Sequence, residues 1–145
     1  SGSQIVTIDR IDINSDYENI FCGGKFYVDV SYSSKKDIYD KRCFMYLSIK
    51  NRLFVKQFQL STKLVDYNEL NWDKEGILRF SIEELNLNNG IYHMDVLFRL
   101  DDTNSDFIED AITFKVEKSD YFGTGSMPKE KHGNMLTKFR LESKK

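Results

Sequence analysis

Of the residue types that punctuate folds or carry most enzymatic chemistry, this 145-residue chain has one proline, one tryptophan, two cysteines and two histidines. Each scarcity excludes something. His93 and His132 lie far apart and no cysteine or carboxylate spacing completes a metal-ligand set, so no metal and no cofactor is expected. The chain has no CxxC, no HExxH, no P-loop and no nucleophile elbow, so no residue is assigned a catalytic role and the chain is not read as an enzyme. Glu83–Glu84 and Asp101–Asp102 fall in turns, where solvated charges are the ordinary reading. Cys22 and Cys43 are too few for a disulfide framework; a reducing cytosol suits them best, with a single bridge as the alternative. No apolar run is long enough to cross a bilayer, and no secretory signal is present. Net charge is −2 with both signs mixed along the chain, which argues against nucleic acid as a partner. Ser1–Gly2–Ser3 is set aside from the fold argument as a cloning remnant.

What is present is alternation. Segments 5–13, 23–32, 43–50, 53–60, 77–82, 90–100 and 109–118 read as strands, most of them with apolar residues alternating at the period of a strand with one face in a core. "GIYHMDVLFRL" (90–100) is the clearest: Tyr92, Met94, Val96, Phe98 and Leu100 inward, His93, Asp95 and Arg99 outward. "CGGK" at 22–25 lacks phosphate-loop spacing and opens a strand, so it reads as a turn. Residues 61–76 read as a long connection with one helical turn, in which Trp72 plugs the end of the sandwich rather than forming a lid. Seven short strands without a long amphipathic helix indicate an all-β fold, an immunoglobulin-like antiparallel β-sandwich. The first, second and fifth strands form one sheet, and the third, fourth, sixth and seventh the other. The domain spans 4–118. A glycine-containing hinge covers 119–134, and an alternating C-terminal segment, "MLTKFRLE" within 135–145, is an additional strand that must add to its own sheet or a partner's.

The order and spacing of three runs, "FCGGKFYVDVSY" (21–32), "LNLNNGIYHMDVLF" (85–98) and "AITFKV" (111–116), resemble the C-terminal carbohydrate-binding domain of Wzt-type ATP-binding subunits of O-antigen ABC transporters. The matching positions are Gly24, the Leu87-to-Tyr92 stretch with Gly90, Phe114 with Val116, and the "HGN" before the last strand; where that strand often carries tryptophan, this chain has Phe139. The resemblance spans nearly the whole chain. It implies non-catalytic recognition of a bacterial polysaccharide at its non-reducing end, coupled to export. It also implies a homodimer built by exchange of the last strand, an ATP-binding domain upstream, a membrane subunit as partner, and a cytoplasmic position at the inner face of the inner membrane.

Sugars bind to flat aromatic faces and to planar polar groups that fix hydroxyl directions. Beside His93, Asp95 and Arg99, neighbouring strands offer Phe44 and Tyr46, Gln57, and Lys115 on the same outer face. Each polar residue alone is more simply a wet surface. The aromatic pair and the resemblance make these seven residues the candidate glycan floor, with Tyr27 and Asp29 on the opposite sheet as the alternative. A dimerisation or protein-docking sandwich without glycan binding is the competing function.

Overall fold

The computed structural model describes residues 2–65 and 70–144. Its strands are β1 (Val6–Asn14), β2 (Ile20–Phe21), β3 (Phe26–Ser34), β4 (Cys43–Asn51), β5 (Lys56–Ser61), β6 (Glu75–Ile82), β7 (Gly90–Leu100) and β8 (Thr103–Glu117). They form two sheets, of order β1-β3-β6 and β2-β8-β7-β4-β5, which is the partition expected from the sequence, with β2 added. That two-residue strand pairs parallel to the end of β8, Ile20 with Val116 and Phe21 with Glu117, and is too short to show any periodicity.

Alternation sets the core. Phe26, Val28, Val30 and Tyr32 of β3 face Met45, Leu47 and Ile49 of β4 and Tyr92, Met94, Val96 and Phe98 of β7, all at most 2 % exposed. Phe114 stacks at 5.9 Å on Tyr92 and meets Phe26 at 5.2 Å, tying the two layers together. Trp72 is buried against Tyr32 and Phe98, plugging the sandwich as expected. The expected helical turn is a short 3-10 turn at Thr62–Leu64, begun by Ser61, whose hydroxyl accepts from the Lys63 N–H. Residues 66–69 of that connection lie outside the described residues. Cys22 and Cys43 are buried free thiols, and burial pushes Cys43 up to about 12.

Three strands begin three or more residues from the expected position. The strand placed at 23 begins at Phe26, because Gly23 adopts φ 75° and the Gly24 N–H closes a turn onto the Phe21 carbonyl. The strand placed at 53 begins at Lys56, because the Asn51 side chain accepts from the N–H groups of Leu53 and Val55 and holds 51–55 as a loop. The strand placed at 109 begins at Thr103, because the β7–β8 hairpin turns tightly at Asp101–Asp102 and two irregularities then interrupt its alternation.

The C-terminal segment departs most. Met135 makes an isolated bridge to Leu87, and the Leu136 N–H donates to the Asn86 carbonyl. Beyond Leu136 no strand pairing occurs among the described residues, and Phe139 (77 % exposed) and Leu141 (91 %) stand in solvent. Leu136 itself is buried, but beyond it the segment pairs with no sheet edge among the described residues, and the alternation from 138 to 141 buries no face.

A candidate glycan-binding face

Register fixes what the outer face of the five-stranded sheet carries. Phe44 of β4 lies opposite Arg99 of β7, Tyr46 opposite Leu97, Ser48 opposite Asp95, and Lys50 opposite His93. On the other side of β7, Leu97 pairs with Phe107 and His93 with Thr113 of β8. On β5, Ser48 pairs with Gln59. Arg99 and His93 are six residues apart on one strand, so the face is a strip of roughly 20 Å rather than a pocket.

The hairpin end of the strip is aromatic. Phe44 and Tyr46 lie 6.5 Å apart with their rings tilted by 47°, and the Lys63 ammonium sits 4.6 Å over the Phe44 ring. The Arg99 guanidinium donates to the Asp102 carbonyl at 2.7 Å, which holds the guanidinium at the hairpin turn. In the middle, Ser48 and Asp95 are almost fully covered although they belong to the outer face. Asp95 takes an ion pair from Lys50 at 2.5 Å and accepts the Asp110 backbone N–H at 2.8 Å. Three residues of β8, Glu109 to Ala111, lie between the pairs that flank Asp95, and Asp110 there has φ 49°. The carboxylate thus caps a bulge, satisfying a donor that the ladder leaves over.

At the far end, His93 Nδ1 lies 2.8 Å from Asp110 Oδ1 and 3.0 Å from Thr113 Oγ1. The Phe54 ring stacks on the imidazole, centroids 4.2 Å apart and 19° from parallel. Phe54 has φ 61°, unusual for a residue with a Cβ, and remains 52 % exposed. Sequence reasoning missed it by assigning 53–60 to a strand. The signal present was Asn51 ahead of Leu53–Val55, an Asx-type loop former.

Of the seven expected residues, Phe44, Tyr46 and Arg99 group at the hairpin end, Asp95 and His93 follow along β7, and Gln57 and Lys115 lie apart. Gln57 donates to the Val55 carbonyl beside the loop, and Lys115 is an exposed residue within 3.5 Å of Glu117. The alternative floor is differently built: Asp29 and Arg79 pair bidentately at 2.8 and 2.9 Å, and Tyr27 lies beneath Lys25 and Arg79. The Arg79 guanidinium holds the Asp29 carboxyl below its usual range. Among the described residues no group of three or more His, Cys, Asp or Glu side chains could hold a metal. Among the described residues no helix is long and apolar enough to cross a membrane.

Fold and face together define an immunoglobulin-like β-sandwich with a strip of aromatic and fixed polar groups along one sheet. Residues 1–128 match the family of the Wzt C-terminal domain, and the chain belongs to that family, which is associated with O-antigen ABC transporters. The crystal structure titled as the C-terminal domain of wzt superposes with a TM-score of 0.77 at 16 % identity, covering 99 % of this chain and 87 % of that one. No curated protein matches the chain.

Proposed function

We propose that this domain recognises a bacterial surface polysaccharide, an O-antigen at its non-reducing terminus, without chemistry on it, and so couples the finished glycan to an ABC transporter. The observation that carries the reading is the outer strip of the five-stranded sheet, where Phe44 and Tyr46 adjoin polar groups fixed by their neighbours. Fixed donors and acceptors lose little freedom when hydroxyls replace water, and aromatic faces take the C–H patches of a sugar. Of the seven expected residues, Phe44, Tyr46, His93 and Arg99 are the proposed contacts; Asp95, covered and already paired, shapes the face from beneath, and Gln57 and Lys115 stand at its margin. The working location is the cytoplasmic side of the inner membrane, beside the ATP-binding domain and the membrane subunit.

The assembly proposed is a homodimer that exchanges the expected segment of about 134 to 142, here only in its part beyond Leu136, since Asn134 to Leu136 dock on their own chain. Exposed Phe139 and Leu141, and a chain unpaired beyond Leu136, support it. Two glycan sites in one particle raise avidity by roughly 10²–10⁴. Light scattering of the full chain should give a dimer, and truncation after Phe122 a monomer or an unstable chain; a full-length monomer at high concentration overturns the exchange. A second reading, docking of a protein without glycan, has one observation in its favour. An apolar cleft of about 250 Å³ opens between β5 and β6, lined by Leu60, Leu64, Leu70, Leu78 and Phe80. Titration with O-antigen polysaccharide from the strain that encodes the chain separates the two: a saturable response supports glycan recognition, and none supports docking.

A further inference from the structure

The loop that carries Phe54 is held from outside its own sheet. Asn51 is the hub: its Oδ1 accepts from the Leu53 and Val55 N–H groups at 3.0 Å each, and its Nδ2 donates to Asn134 Oδ1 at 3.0 Å. Next to it, the Arg52 guanidinium meets the Glu130 carboxylate at 2.7 Å. Both outside partners belong to the chain after β8, the C-terminal segment in the wider sense that takes in the expected hinge at 119–134. That segment is itself anchored beneath the face: the Asn88 N–H donates to the Asn134 carbonyl at 2.7 Å, and Asn88 Nδ2 donates to the Pro128 carbonyl at 2.7 Å. The Tyr92 hydroxyl donates to the Asn88 carbonyl, with Asn134 Nδ2 3.4 Å away. An unbroken run of contacts therefore leads from the anchored C-terminal segment to a strained aromatic residue at the end of the strip.

A half-exposed phenyl ring stacked flat on an imidazole has one face covered and offers the other to solvent. A left-handed φ at a residue with a Cβ persists only where surrounding contacts hold it. We propose that Phe54 is a sugar-stacking platform at the loop end of the strip, and that Asn134 and Glu130 are positioning residues that hold it there. Docking of the C-terminal segment and affinity for glycan are thereby coupled. This rests on the glycan reading above and adds to it a contact and a means of control.

Two measurements test it. The first follows the His93 ring protons by NMR without ligand. Asn134→Leu, which removes the acceptor for Asn51, should shift them toward the values seen in Phe54→Ala, and Asn134→Asp, which keeps the acceptor, should leave them near wild type. Unmoved protons in Asn134→Leu overturn the coupling, whatever the domain binds. The second titrates each variant with O-antigen polysaccharide from the encoding strain. Phe54→Ala should weaken binding about tenfold, and Asn134→Leu and Glu130→Gln should weaken it in the same direction, with Asn134→Asp restoring it. Wild-type affinity in Phe54→Ala, beside a loss in Tyr46→Ala, overturns the platform and leaves the glycan reading standing. Absence of binding by the wild-type chain overturns that reading, and the platform with it.

Discussion

The two outer faces of the sandwich use the same kinds of residue to different ends. On the three-stranded sheet, Asp29 and Arg79 satisfy one another nearer to solvent: the Arg79 side chain is 57 % exposed and that of Asp29 18 %, and Tyr27 lies beneath two cations. On the five-stranded sheet, Asp95 and Lys50 satisfy one another under cover, at 7 % and 12 % exposure, and the carboxylate also fixes a backbone bulge. An exposed pair contributes little, because water competes for both partners. A covered pair that also caps backbone sets the shape of the surface above it. The difference separates a wet surface from a built one, and it supports the proposal of the five-stranded face, rather than the Tyr27 face, as the glycan site.

Breaking each pair should expose that difference. Asp95→Ala leaves a covered ammonium and the Asp110 N–H unpartnered, and should cost about 3 kcal/mol in urea unfolding, the low end for a buried pair, since Lys50 keeps a path to solvent. Asp29→Ala should cost clearly less in the same assay, and equal losses would erase the distinction between the faces. A smaller effect comes from the core between them. Burial raises Tyr92 from 10.0 to about 12, so the folded chain keeps a proton that the unfolded chain releases. Its contribution is fully present below pH 10 and is lost as pH rises toward 12. Tyr92→Phe should flatten the unfolding-free-energy profile across that window, leaving the part due to Cys43, which is raised for the same reason. The smallest effect is at the acid end. Asp29 is held low by Arg79, so its contribution is present above the ordinary carboxylate range and fades as pH falls through its folded value. Asp29→Asn should flatten the acid limb slightly, and an unchanged limb would show that the pair contributes nothing.

The strands were legible because burial imposes a period of two; β3 obeys it throughout, and β4 and β7 break it only at Ser48 and Asp95. The parts that escaped are those where side chains, not periodicity, fix the backbone. Asn51 turns an apolar run, Leu53–Phe54–Val55, into a loop, and a run of that composition reads as strand. The bulge opposite Asp95 breaks the β8 pattern, so the strand seemed to begin at 109. In the candidate site, Phe44, Tyr46, His93, Asp95 and Arg99 fell on one face because register follows from alternation. That Asp95 is covered and structural while Phe54 is exposed and stacked depends on three-dimensional layering, which no local pattern carries. The tail is the opposite case: its alternation at 136–141 predicts a strand, and among the described residues it pairs with no edge beyond Leu136.

The central claim is that the outer face of the five-stranded sheet binds glycan and the other face does not. Calorimetric titration of O-antigen polysaccharide from the encoding strain into wild-type, Tyr46→Ala, Arg99→Ala and Tyr27→Ala proteins tests it directly. The account predicts saturable binding by wild type and Tyr27→Ala, and binding lost in Tyr46→Ala and Arg99→Ala with their melting transitions preserved. Binding retained in Tyr46→Ala and Arg99→Ala but lost in Tyr27→Ala would place the site on the opposite sheet and contradict it.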